Sequence, residues 1–141
     1  NVVPEVESFR LEDGYTSEEW KMATETRKIM HLPDLRVSAT CVRVPVYRAH
    51  SEAVTVECSR PIDPDSAREA ISDFPGITVV DDTSDSGYPT ALDADGNDDV
   101  WVGRIRRDTS SDNGIVMWVV SDNLRKGAAT NSVQTAELLT L

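Results

Sequence analysis

Residues 36–50, RVSATCVRVPVYRAH, run directly into SEAVTVEC, and this stretch constrains the fold more than any other. Val, Thr, Tyr and Cys dominate it, one Pro interrupts, and no turn signal comes before Arg48-Ala49-His50-Ser51. That composition predicts a strand over 36–47. Arg43 shares the odd-numbered side with Val37, Ala39, Cys41, Pro45 and Tyr47. Both sides are biased to apolar residues, which is the pattern of a strand covered on two faces. An arginine there is costly unless an anion or carboxylate meets it. His50 falls where the strand pattern stops, a position from which a side chain reaches a cleft.

The totals limit the function classes. A length of 141 residues, 39% hydrophobic and 28% charged, predicts one globular domain able to bury its own core. No apolar run approaches a membrane span. The formal net charge of −11 argues against nucleic acid or an anionic membrane as partner. Nine of the 25 acidic residues lie between Glu69 and Asp99, a stretch without Lys or Arg, so much of the acidity is a solvated surface. Cys41 and Cys58 read as small buried hydrophobes in strands, reduced in a cytoplasmic setting. Their spacing excludes a CxxC zinc site, His31 and His50 lack ligand spacing, and no metal is expected.

In chain order, NVVPEVESF opens abruptly and reads as a cut within a longer protein. Thr16 or Ser17 caps a helix TSEEWKMATETRKIM, with Glu18 and Glu19 in its first turn. Glu18 and Lys21, three apart, stand together on its surface, ordinarily an exposed pair contributing about 0.3 kcal/mol. Strand 36–47 is expected to turn at His50 into strand 52–60 as a hairpin. There Glu52, Val54, Val56 and Cys58 share one side. Asp63 and Pro64 start a short helix, strand ITVVDD follows, and DTSDSGYPTALDADGNDD reads as a long loop. VWVGRIRRD and IVMWVVS are strands. DNLRKGAATNSVQTAELLTL is a helix capped at Asp122 or Asn123, packing through Leu124, Ala128, Val133, Ala136 and Leu139–Leu141. Gly127 costs this helix about 1 kcal/mol, bearable where a backbone, a ligand or a tightly packed helix approaches. The order α–β–β–α–β–β–β–α predicts an α+β fold, a mixed and largely antiparallel sheet with helices on one face.

RVSATCVRVPVYRAHSEAV, VGRIRRD and SDNLRKGAATNSVQTAELL together resemble the C-terminal part of bacterial-type aspartate-β-semialdehyde dehydrogenase. The likeness runs in order through nearly the whole chain and includes NVVP and SEEWKMATETRKI. It implies the C-terminal domain architecture of glyceraldehyde-3-phosphate-dehydrogenase-type enzymes, residues 1–141 forming the catalytic and dimerisation domain. It also implies an NADP-dependent, cytoplasmic homodimer that interconverts L-aspartyl-4-phosphate and L-aspartate-4-semialdehyde through a thioacyl cysteine.

Residue by residue, the resemblance implies that His50 is the acid/base histidine. Arg43 would clamp the substrate carboxylate, Glu18 meet its amino group, and Lys21 bind phosphate. Asn131 and Gln134 fall where the family's last helix returns to the nucleotide domain, Gln134 on the cofactor side and Gly127 permitting that approach. The nucleotide domain, its glycine-rich loop and the nucleophile lie before this sequence, and neither Cys41 nor Cys58 matches the nucleophile's motif. These residues by themselves are therefore expected to be inactive. Two other classes stand beside the enzyme: a non-catalytic dimerisation domain and a module binding a small amino acid. From composition alone, His50 is a hydrogen-bonded turn residue and Arg43 pairs with a core carboxylate, whereas the amino-acid module needs a closed pocket around Arg43 with His50 outside it.

Overall fold

The computed structural model describes residues 1–140 and divides into two compact units, Asn1–Pro45 and Val46–Leu141. In the first, helix α1 (Ser17–Ile29) starts from Thr16 rather than Ser17. The Glu19 amide donates to Thr16 Oγ1 (3.3 Å) and the Thr16 amide donates to Glu19 Oε2 (2.8 Å), a reciprocal cap. The other Glu19 oxygen accepts from the Cys41 amide at 2.8 Å. Glu19 is buried, and these backbone donors, Thr16 foremost, hold its carboxyl below the usual range. One carboxylate thus caps α1 and ties residues 36–45 to it.

The strand predicted over 36–47 does not form. Its backbone pairing is a single antiparallel bridge between Val3 and Arg43, with hydrogen bonds of 2.9 and 3.0 Å. Val42, Val44, Val46 and Tyr47 are exposed. β-propensity measures how well a residue fits a half-buried pleated surface, and this run has no ladder to supply one. The predicted hairpin is absent for the same reason.

The second unit is built on a four-stranded sheet of order β1-β4-β3-β2: β1 (His50–Glu57), β2 (Ile77–Val79), β3 (Val100–Arg107) and β4 (Gly114–Ser121). Only β2 and β3 are parallel. β1 lies at an edge and pairs with β4, from His50 opposite Ser121 to Glu57 opposite Gly114. Directly opposed residues share a face, so Glu52, Val54 and Val56 lie with Val119, Met117 and Ile115, as the alternation predicts. Helix α2 (Pro64–Ser72), capped by Asp63 with Pro64 in its first turn, packs on that face. Its Ala67 meets Val102, Ile105 and Ile115. On the other face Val120 packs with Ala49 and with Ala94 of α3 (Ala91–Ala94), flanked by Trp101 and Trp118. β4 is covered on both sides, as its unbroken apolar run predicts. The fold is α+β, with a mixed, largely antiparallel sheet.

A bulge interrupts β3 between Gly103 and Arg106. Arg104 there takes a left-handed φ of 56° and is exposed, so it does not continue the Val100–Val102 alternation. The extra residue shifts the phase, and Ile105 takes the buried face instead. A Cβ on Gly103 would stand 2.2 Å from the Val80 carbonyl oxygen, so no larger residue fits. The acidic stretch 81–99 is not featureless. It holds a 3-10 turn (Thr83–Asp85) and α3, whose first turn is capped between Thr90 and Asp93.

The last segment departs most from expectation. Asp122 caps it, the first turn is a π-helix (Arg125–Ala129), and α4 (Thr130–Leu139) follows. The expected packing side meets no core: Leu124, Val133 and Leu139 are 55%, 58% and 83% exposed. Leu141 lies outside the described residues. A Cβ on Gly127 would meet only Asn123, at 3.8 Å, so close packing within the chain does not account for that glycine. Neither cysteine lies in a strand, no disulfide joins them, and both are partly buried rather than buried. No helix among the described residues is long and apolar enough to cross a membrane.

Replacing Ile115, which is almost fully buried, with Ala is expected to cost roughly 2–5 kcal/mol. Leu92→Ala, at an exposed position, should stay within about 0.5 kcal/mol. Urea titration of both variants checks the core assignment.

Candidate active site

His50 is the first residue of β1, not part of a turn, and its side chain is exposed. The chain reaches it through Ala49, which is buried and left-handed at φ 73°. That conformation costs a non-glycine residue on the order of 1–3 kcal/mol and persists only where its surroundings enforce it. Here three contacts do so. Ala49 packs on Ala94 and Val120, His50 is paired with Ser121, and the Ala49 amide donates to Asn123 Oδ1 at 3.0 Å. A hydrogen bond contributes about 0.5–1.5 kcal/mol net, so the bond alone does not offset the strain, and ladder and packing supply the rest.

Asn123 is itself held by its neighbour. Asp122, 1% exposed, accepts from the amides of Gly96 (2.9 Å), Leu124 (2.8 Å) and Arg125 (3.2 Å). Those bonds, Gly96's foremost, keep its carboxyl below the ordinary range and therefore charged at neutral pH. Sequence reasoning placed Asp122 and Asn123 only as alternative helix caps. Asp122 is the cap. The role of Asn123 lay beyond local pattern, because its partner Ala49 is 74 residues away.

Glu18 and Lys21 come together on α1, with Lys21 Nζ 3.1 Å from Glu18 Oε2. Hydrogen bonding to Glu18 raises the pKa of the ammonium, which keeps its charge throughout the neutral range. The exposed pair offers one carboxylate and one ammonium side by side, chemistry that suits a zwitterionic ligand. Arg43, in the same unit, has its backbone fixed against Val3 and its side chain exposed. The expectation of a buried arginine is thus corrected: the segment is uncovered, and no desolvation cost arises. His50, Asn131 and Gln134 belong to the second unit.

Asn131 and Gln134 lie on α4, both exposed. Gln134 Oε1 accepts from Lys126 Nζ at 3.1 Å, which leaves its amide N–H groups free to donate outward. The base of the helix is anchored by Asp98, which takes both Nε and Nη2 of Arg125 at 2.8 Å and also the Thr130 hydroxyl. The guanidinium bonds, then the hydroxyl, bring the Asp98 carboxyl down to about 2. Among the described residues no group of three or more His, Cys, Asp or Glu side chains is arranged to hold a metal.

The family described as "Semialdehyde dehydrogenase, dimerisation domain" matches residues 1–126. The chain belongs to this family. Among the relatives of this semialdehyde dehydrogenase domain is the aspartate-semialdehyde dehydrogenase of Aquifex aeolicus, 52% identical over 139 residues. That match takes in 99% of this chain but 41% of the relative, so the chain spans about two fifths of its length. Aspartate semialdehyde dehydrogenase II of Vibrio cholerae, solved in complex with ASA, superposes with a TM-score of 0.94 at 48% identity. The alignment covers 99% of this chain and 41% of that one. A Candida albicans aspartate semialdehyde dehydrogenase solved with NADP is 26% identical, with a TM-score of 0.77, over 99% of this chain and 44% of that one.

The Asp98 anchor of this dehydrogenase domain has a definite pH dependence. Its folded pKa is depressed from 3.8 to about 2, so its stabilisation is fully present above about pH 4 and is lost as the pH falls towards 2. Asp98→Asn should remove that dependence. Thermal unfolding at steps from pH 5 to pH 2 is expected to show a shallower fall for the variant than for the parent.

Proposed function

We propose that these residues are the substrate-orienting and dimerising part of an NADP-dependent aspartate-semialdehyde dehydrogenase. The enzyme would interconvert L-aspartyl-4-phosphate and L-aspartate-4-semialdehyde in the cytoplasm, serving lysine and diaminopimelate, methionine, threonine and isoleucine synthesis. The observation that carries this reading is the likeness, over 99% of this chain and at 48% identity, to part of a dehydrogenase solved with ASA.

In this reading His50 moves protons, taking one from the attacking thiol and returning one to the tetrahedral intermediate. Its exposure at the start of a rigid strand suits a group that must meet a substrate from outside the sheet. Arg43 binds the substrate carboxylate through two parallel N–H···O bonds, and its unburied guanidinium is free to do so. Glu18 takes the substrate's amino group and Lys21 the phosphate, each exchanging its present partner for a ligand group of the same charge. The nucleophilic cysteine belongs to a part of the enzyme outside these residues.

NADPH would supply the hydride that reduces the acyl group, and NADP would accept it in the reverse direction. The exposed Gln134 and Asn131 would lie on the cofactor side, with Lys126 fixing which way the Gln134 amide points. The homodimer is supported by the family's description as a dimerisation domain.

In the complete enzyme, His50→Ala is expected to lower kcat by roughly 10²–10⁴-fold. Arg43→Lys should act chiefly on KM for the semialdehyde, because a lysine cannot reproduce the paired bonds. Residues 1–141 assayed by themselves should give no phosphate-dependent NADP reduction with the semialdehyde, and light scattering should give twice the chain mass. Turnover above blank from those residues, or full activity of the His50 variant, would overturn the reading.

A further inference from the structure

A reciprocal helix cap needs only one carboxylate oxygen. In α3 the exposed Asp93 meets both the Thr90 amide (2.8 Å) and the Thr90 hydroxyl (2.6 Å) through Oδ2 alone. At α1 the cap is buried and both oxygens are taken: Glu19 Oε2 accepts from the Thr16 amide and Oε1 from the Cys41 amide, each at 2.8 Å. The second bond reaches a segment that the cap does not involve. Glu19 directly follows Glu18 and precedes Lys21 by two residues, and Cys41 precedes Arg43 by two. Arg27 Nε and the Tyr15 hydroxyl hold the same segment further back, at the Leu35 carbonyl and the Ser38 hydroxyl. Beyond Cys41, the Arg43 backbone pairs with Val3 and not with α1. Of these bonds, the one to Glu19 grips the segment nearest to Arg43, and all of them lie within the first unit.

We propose that Glu19 is a positioning residue for substrate binding, its buried carboxylate holding the Arg43 segment in fixed register with Glu18 and Lys21 on α1. This rests on the reading of Arg43 as the group that takes the substrate carboxylate and of Glu18 as the partner of its amino group. An α-amino acid carries those two groups on one carbon, so the span between their receptors must be set in advance. A paired guanidinium–carboxylate contact is geometrically demanding, and it is the first thing lost when one receptor shifts against the other. An amide in place of the Glu19 carboxylate has one acceptor oxygen for two backbone donors. Its NH2 group then faces an N–H, and the bond that cannot form leaves a donor short of its partner.

The test is a double-mutant cycle in the complete enzyme. Glu19→Gln keeps the side-chain shape and a cap-competent oxygen for Thr16. It is expected to raise KM for the semialdehyde about tenfold, the equivalent of one charged hydrogen bond, with kcat within about threefold of the parent. KM for phosphate, which Lys21 meets from the capped helix, should stay within about twofold. Glu19→Asp can cap as Asp93 does but falls one methylene short of Cys41. It should give the same rise, and it replaces Glu19→Gln should that variant fail to fold. In an Arg43→Lys background, where the paired bonds are already gone, either substitution should change KM by less than about twofold. Equal rises in both backgrounds, a parallel rise in KM for phosphate, or an unchanged KM overturn the positioning role while leaving Arg43 as the carboxylate's partner. Failure of both variants to give folded enzyme overturns it too, since Glu19 then serves the core alone. A parent-like KM for Arg43→Lys overturns the reading of Arg43 and this proposal with it.

Discussion

The antiparallel register of β1 on β4 is the constraint on which the second unit depends. It sets His50 opposite Ser121, and so brings Ala49 beside the Asp122–Asn123 corner that ends β4. The same register puts Val54 and Val56 on the face that α2 covers. A slip of one residue would turn that set to the opposite face and swing His50 with it. Burial of Ile115, Val102 and Ile105 under Ala67 therefore has a consequence at the site: the hydrophobic pattern that fixes the sheet also fixes the direction of a histidine.

Polar groups finish what the apolar pattern begins. Glu19, Asp122 and Asp98 each satisfy several donors at once, and each ties distant segments together: α1 to Cys41, Gly96 to the end of β4, and the loop before β3 to the base of α4. Carboxylates that accept this many bonds stay charged, Glu19 and Asp122 in buried positions and Asp98 at the surface. Acidity that looks diffuse in the composition thus has specific roles at three positions.

Much of this was legible in the residues. Asp63-Pro64 announced α2, the unbroken IVMWVV run announced a strand covered twice, and the Glu52–Val56 alternation gave the correct faces. What failed, failed for a physical reason. RVSATCVRVPVY carries the composition of a strand, but propensity reports fit to a neighbouring surface and not the presence of one, so 36–47 forms no ladder beyond a single bridge. The apolar residues of α4 were read as a packing face, yet they remain exposed. In the site, the Glu18–Lys21 pair follows from helical spacing. The Ala49–Asn123 bond does not, since it joins residues that only the β1–β4 pairing brings together.

The central claim is that one strand start presents the acid/base group while Arg43 receives the substrate's carboxylate. The most direct measurement is a crystal structure of the complete enzyme with the semialdehyde bound. The expected result is two guanidinium–carboxylate bonds of about 2.7–2.9 Å at Arg43. His50 should stand within about 3.2 Å of the reacting oxygen or sulfur, with Ala49 still left-handed. A substrate bound with Arg43 facing solvent, or with His50 turned away from the reacting carbon, would contradict it.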